Sequence, residues 1–263
     1  MQTPQSSGGS GGRRRGRDTA APYDRRVTIF ASDGRLYQVD YALNAVKLPG
    51  LTSVGVRGAD SVCVAGQRKT KDKLMDPASG SSLFPITERL GLLTTGNAGD
   101  GMTLANQARN QAAEFRFKWG YEMPPDVLAQ WIADGAQICT QHVSKRPSGV
   151  VAMILGIDEE KETPQLFTSD PAGYFLGHKA ASAGFKDREA INFLEKKMKN
   201  NPSLSFDETI QMAIAALQYA LKMDLKAKEI EVGVVRKDDP VVRMLIASEI
   251  DEHLKAIKQQ KQS

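Results

Sequence analysis

Between Leu36 and Leu48 the apolar residues fall on two stripes rather than one. At about 100° per residue, Leu36, Val39, Leu43 and Val46 share one face, and Tyr37, Tyr41, Ala45 and Leu48 share nearly the opposite one. Asp40, Asn44 and Lys47 fill one gap between them, Arg35 and Gln38 the other. The pattern predicts a helix over about residues 34–48, closed by Pro49-Gly50. A surface helix needs one apolar face. Two opposed faces point to a helix held between its own domain and neighbouring subunits, the plainer alternative being a helix buried within its own domain.

After that helix the periodicity changes. Thr52 to Arg57 and Ser61 to Gly66 predict a hairpin about the turn Gly58-Ala59-Asp60. A basic connection, Arg68 to Leu74, leads through a loop of small residues to a second strand pair, Phe84 to Thr87 and Leu90 to Thr95. Two long helices follow, separated by Pro124-Pro125. Leu104, Ala108, Ala112, Phe115 and Trp119 form the apolar stripe of one, and Leu128, Ile132, Ala136, Cys139 and Val143 that of the other; both stripes read as core. Val150 to Ile157 is an unbroken apolar run suited to a central strand. Gln165 to Ser169 and one or two short strands within Tyr174 to Ala183 come after it. Helices are predicted over Asp187 to Asn200 and Asp207 to Met223, the second opened by the capping pattern Ser205-Phe206-Asp207-Glu208. The strands Ile230 to Val235 and Val242 to Ile246 and a charged helix, Ser248 to Gln260, complete the chain. Strands and helices come in blocks rather than in alternation. That grouping suits an α+β arrangement of two stacked, largely antiparallel sheets with helix pairs outside, and argues against a doubly wound parallel sheet.

Composition sharpens this picture in three places. With 263 residues, 41% apolar, the chain has enough length for one large core, and no apolar run approaches a membrane span. The net charge of +4 is concentrated: residues 1–22, rich in Gly, Ser and Arg, carry +3, which leaves +1 for the rest. Such a tail cannot bury enough surface to offset its ordering entropy, and disorder is expected there. Its Arg13-Arg14-Arg15-Gly16-Arg17 cluster suits solvated charge first, with an import signal or RNA binding as alternatives. Cys63 lies in the apolar run Val62-Cys63-Val64 and Cys139 in a helical pattern, with no CxxC or Cys/His spacing, and they read as two buried thiols of a reducing compartment. Gly96 to Gly101 opens a helix after a strand, as a phosphate loop does. No Gly-Lys follows, and Asp100 would repel a phosphate, so the stretch reads as a strand-to-helix turn.

The segment Tyr23-Asp24-Arg25, Thr28-Ile29-Phe30 and Asp33-Gly34-Arg35-Leu36-Tyr37-Gln38-Val39-Asp40-Tyr41-Ala42 resembles the N-terminal signature of proteasome α subunits. The resemblance runs on through Leu51 to Val56, Thr140-Gln141, Arg146 to Val150, Gly156 to Glu159 and Asp170 to Tyr174. Within the family, Leu51 to Gly58, Gly120 to Pro124 and Ile230 to Val235 are most similar to the iota-type (α type 6) branch. It implies a four-layer αββα sandwich of the N-terminal nucleophile hydrolase type. The implied organisation is a tail over 1–22, an α-subunit domain over 23–250 including the signature helix, and a charged helix end and tail over 251–263.

That fold makes catalysis the first question. In catalytic relatives a threonine freed at the chain terminus attacks the peptide, with its own amine as base. Alignment of the first strand pair sets Leu51 at the threonine position and Gln67 at that of the supporting aspartate; the chain, moreover, runs unbroken through Leu51. His142, His178 and His253 are scattered, no GxSxG occurs, and no cluster has metal-ligand spacing. The resemblance therefore implies a non-catalytic subunit of the outer α ring of a 20S core particle, without cofactor or metal. Its partners would be other α subunits in a hetero-heptameric ring, β subunits, and a regulatory particle or other activators, in cytoplasm and nucleus. By the same resemblance Tyr23, Asp24 and Tyr41 match a cluster that orders the substrate gate, and Ser32 stands where that cluster has proline. Ser82 stands where many relatives carry a lysine that pairs with an activator's terminal carboxylate. Two other readings stay open: a nucleic-acid-binding module acting through the arginine tail, and an active hydrolase.

Overall fold

The first hairpin forms where the alternation placed it. β1 (Thr52–Arg57) and β2 (Ser61–Gln67) pair antiparallel, Val56 opposite Cys63. The computed structural model describes residues 26–68, 74, 80–201 and 203–262, so the tail, Tyr23, Asp24 and most of the basic connection after Arg68 lie outside the described residues. The signature helix is α1 (Tyr37–Lys47), shorter at its start than the pattern predicts because Asp33 and Gly34 are taken into a turn.

β3 (Leu83–Pro85) and β4 (Leu90–Gly96) lead to α2 (Ala98–Trp119) and α3 (Pro125–Gln141). A run of strands comes next: β5 (Val150–Asp158), β6 (Thr163–Ser169), β7 (Phe175–Gly177) and β8 (Ala180–Gly184). Then come α4 (Asp187–Asn200), α5 (Phe206–Leu221), β9 (Ile230–Arg236), β10 (Arg243–Met244) and α6 (Ala247–Gln262). At the start of α5 the Ser205 amide donates to Glu208 Oε2 at 2.9 Å, so the capping pattern does what its spacing implies. β10 is cut to two residues: the Val242 amide is spent on the Glu88 carbonyl, and Leu245 bonds back to Val232.

Two five-stranded sheets result, in the orders β10-β9-β2-β1-β8 and β3-β4-β5-β6-β7, every neighbouring pair antiparallel. Because successive side chains alternate between sheet faces, each central strand feeds two cores. On β5, Ala152 and Ile154 face α2 and α3, while Met153, Leu155 and Ile157 face the other sheet. On β2, Cys63 and Ala65 face α4 to α6, while Val62 and Val64 face inward. Three apolar layers therefore alternate with four structural ones, and the αββα sandwich is what the strand periodicity builds. No helix among the described residues is long and apolar enough to cross a membrane.

Three expectations need correction. Trp119 is 57% exposed: it is the last residue of α2, past Phe115, the last residue of that stripe packed against the core. Val143 is 86% exposed, since α3 ends at Gln141 and the helical spacing has no helix to act on there. Cys63 is fully buried and its thiol is pushed up by burial, but Cys139 is only half-buried.

Candidate functional site

The lead-in to α1 is a local construction. The Gly34 amide donates to the Ala31 carbonyl at 2.9 Å, closing a turn that has Ser32 and Asp33 at its centre, and Gly34 takes φ +79°, where a side chain would be strained. Asp33 then fixes the approach to the helix: its Oδ1 accepts from the Arg35 amide at 3.2 Å and its Oδ2 from Tyr37 Oη at 3.1 Å. On α1, Val39, Ala42 and Val46 are buried and Leu36 and Leu43 half-buried, so the first stripe faces the body against β4 and β5. Lys47 Nζ lies 3.1 Å from Asp187 Oδ2 and ties the helix end to α4. The second stripe is outward at two of its four residues: Leu48 is 83% exposed and Tyr41 44%, with the Tyr41 ring 6.3 Å from that of Tyr37, while Tyr37 and Ala45 are half-buried. The alternative of a helix buried within its own domain is therefore set aside.

At the aligned nucleophile position, Leu51 sits between α1 and β1 with the chain continuous on both sides, and its carbonyl accepts from the Phe185 amide at 2.9 Å. The neighbouring hydroxyls are committed to structure. Thr52 is fully buried and its Oγ1 accepts from the Lys186 amide at 3.1 Å, while Ser53 Oγ shares a hydrogen bond with Thr95 Oγ1. Gln67 Oε1 is buried without a hydrogen-bond partner among the described residues. His178 bonds Thr168 Oγ1 through Nε2 at 2.9 Å, and burial lowers its pKa, so it is neutral at physiological pH. Thr168 and His178 thus form a hydroxyl–imidazole pair, and neither Leu51 nor Gln67 takes part in it.

Ser82 occupies a corner built on Glu231. Ser81 Oγ donates to Glu231 Oε2 at 2.6 Å and the Ser82 amide donates to Oε1 at 3.0 Å, 149 residues away in sequence. Burial raises the Glu231 pKa above the ordinary value of 4.5, against the hydrogen bonds from Ser81 and Ser82 and the nearby Arg68, which lower it. The folded chain thus holds this proton more tightly than the unfolded one. The stability that Glu231 contributes is fully present below the ordinary value and is lost as pH rises through the folded one. Glu231→Gln keeps the shape and removes the titration. The variant is expected to melt above the parent at about pH 8 and to converge with it in acid, by thermal unfolding across pH; parallel profiles would show that burial of this carboxyl is not what moves the curve.

Of the gate positions inferred from the sequence, the structure places Tyr41 on the outward face of α1 and Ser32 in the turn before it; Ser82 is in the Glu231 corner. Tyr23 and Asp24 lie outside the described residues. Comparison with known proteins meets this geometry at the same places. A profile described as the N-terminal signature of proteasome A-type subunits matches residues 23–45, and one for proteasome subunits matches residues 48–235. The chain belongs to the proteasome α-subunit family. A Schizosaccharomyces pombe protein named probable proteasome subunit alpha type-1 is 44% identical over 240 residues, 90% of this chain and 97% of its own. A Caenorhabditis elegans proteasome subunit alpha type-6 is 37% identical over 241 residues, 92% and 98%. A Saccharolobus solfataricus proteasome subunit alpha is 38% identical over 216 residues, 81% and 88%. Proteasome α subunits as a class are generally non-catalytic and assemble with other proteasome subunits, and the αββα sandwich is the proteasome fold.

Two features of this α subunit had no signal in its sequence. The pairing of Ser81 and Ser82 with Glu231 spans most of the chain, and the bond between Asp100 and Arg146 joins two segments with no shared periodicity.

Proposed function

We propose that this proteasome α subunit is a structural, non-catalytic member of the outer α ring of a 20S core particle, serving ring assembly, substrate-entry gating and activator docking in ubiquitin-dependent protein degradation, in cytoplasm and nucleus. The observation that carries the reading is α1, buried along one stripe and open at Tyr41 and Leu48 on the other, with Leu48 83% exposed. Its partners in this reading are the other α subunits of a hetero-heptameric ring, the β subunits beneath it, and a regulatory particle or other activators; the likeness to relatives named type-1 and type-6 supports an iota-type position. Leu51 and Gln67 support the absence of an active site of its own.

Native mass spectrometry of the complex purified through a C-terminal tag, with threonine-directed inhibitor labelling, tests the proposal. A particle many times the 28.7 kDa of the chain, labelled only on other subunits, is the expected result. A labelled monomer overturns it.

Ser32 and Ser82 each carry a narrower proposal. Ser32 stands second in its turn, a place that accepts the fixed φ of proline. Ser32→Pro is expected to stabilise the chain by about 0.4–1 kcal/mol and to shift basal peptide hydrolysis by the assembled particle; unchanged melting and unchanged hydrolysis together would end the idea. Ser82 offers no cation and lies beside the Glu231 carboxyl, so this position is a weak site for an activator's terminal carboxylate. An activator complex with a carboxylate seated there on another basic group of this chain refutes that.

A further inference from the structure

Asp100 lies in the first turn of α2, where a carboxylate would ordinarily cap the helix. It does not. Asn97 is the N-cap, its Oδ1 accepting from the Gly99 and Asp100 amides at 3.0 and 3.3 Å. Both oxygens of Asp100 are thereby left to the loop before β5. Oδ1 accepts from Arg146 Nη2 at 2.7 Å, and Oδ2 accepts from Arg146 Nη1 and from the Gly149 amide, both at 2.8 Å. The pairing is the two-pronged one that fixes direction as well as distance, and the Asp100 side chain is only 13% exposed. Arg146 Nη1 also donates to the Pro147 carbonyl at 3.1 Å, and the Asn97 amide donates to the Gly149 carbonyl at 3.0 Å. The loop is thus pinned at Arg146 and at Gly149.

The start of the described chain faces this loop across a cavity. That cavity, of about 440 Å³, has residues 26–29 and Gln38 on one wall and Val143 with residues 145–147 on the other. Farther along, Gly149 passes beneath α1: a Cβ added there would stand 3.3 Å from Ala45 Cβ. The same loop therefore faces the lead-in across a cavity and approaches the helix it leads to at Ala45, while Asp100, which anchors it, belongs to neither.

We propose that Asp100 and Arg146 are positioning residues for the entrance segment: they hold residues 143–149 as the seat for the lead-in at 26–29 and for α1, and so set how tightly the entrance is closed. This rests on the ring-subunit reading for its functional consequence, though not for its geometry.

The test uses the tagged particle carrying Asp100→Asn, Arg146→Ala or Arg146→Lys, with Arg116→Ala as comparison, since Arg116 pairs with Glu122 at the far end of α2. Hydrolysis of a short fluorogenic peptide without activator, per labelled threonine, is expected to rise about two- to fivefold for Asp100→Asn and Arg146→Ala, less for Arg146→Lys, and not for Arg116→Ala. Hydrogen exchange should quicken at residues 26–30 while the interior of α2 keeps the parent rate. Normal incorporation with parental hydrolysis and parental exchange overturns the proposal, as does an equal rise in Arg116→Ala. Failure of all three variants to assemble also overturns it, because the pair would then be serving the fold. If the parent chain itself enters no particle, the ring-subunit reading fails instead, and the exchange experiment on the free chain still decides the geometry.

Discussion

Leu48→Lys is expected to exclude this subunit from the particle while leaving its own fold intact. Leu48 caps the C-terminal end of α1 and is 83% exposed, so a lysine there costs the isolated chain little, and its charge suits the negative end of the helix. On the proposal that the outward side of α1 is an assembly surface, the same position is covered in the ring. Burying the leucine contributes about 1.5–3 kcal/mol, and a lysine in its place adds the cost of an unpaired buried charge. Losing the leucine alone lowers incorporation roughly tenfold or more, since about 1.4 kcal/mol is a factor of ten. Co-purification with a tagged neighbouring subunit measures this, and melting of the free chain provides the control. Full incorporation of a well-folded Leu48→Lys chain would mean that the outward stripe of α1 is not an assembly surface.

The second large effect lies between the sheets. Leu155 on β5 is fully buried in the central apolar layer, with Leu93, Met153 and Leu166 in the same cluster. Two packed sheets cannot collapse onto a vacancy as a loop can, so Leu155→Ala should cost about 2–5 kcal/mol. Against a total stability of about 5–15 kcal/mol that is a large share. Urea unfolding should show a lower midpoint at an unchanged slope. Val143→Ala, which the helical spacing would class with the core, should stay within about 0.5 kcal/mol of the parent. Similar losses in both variants would contradict the burial of Leu155 and the exposure of Val143.

Those two residues also show where a sequence stops being readable. Leu155 announces itself, because it belongs to an apolar run whose length and β-branched neighbours fit a central strand. Val143 misleads, because periodicity is a property of the pattern and does not know that α3 ends at Gln141. Trp119 fails differently: it lies on α2, but as its last residue, past the point where Phe115 still meets the core. The two-faced helix α1, the first hairpin and the capping of α5 are all local and legible. The outline of the sandwich was legible too, since blocks of strands and blocks of helices leave few ways to stack. Contacts made across the fold were not. Asp100 looked only like a reason to reject a phosphate, and its true partner, Arg146, lies 46 residues on. Glu231 lies within the predicted strand Ile230 to Val235, with nothing to indicate that two serines near residue 81 would hold it. Chain topology brings such pairs together, and no local periodicity encodes them.

The order of strands in the first sheet carries a consequence for how the protein is made. β1 and β2 are finished early in synthesis, yet their neighbours in the sheet are β8, from Ala180, and β9, from Ile230. For most of translation the apolar edge of β2, with Val62, Cys63 and Val64, waits for a strand near the end of the chain. A ribosome that stops short of residue 230 releases a polypeptide with that edge bare, which is the template on which strands of different chains pair. Truncated products of this message should therefore precipitate or be held by chaperones rather than persist as smaller folded units, and the last 34 residues decide whether the first 70 are safe in solution.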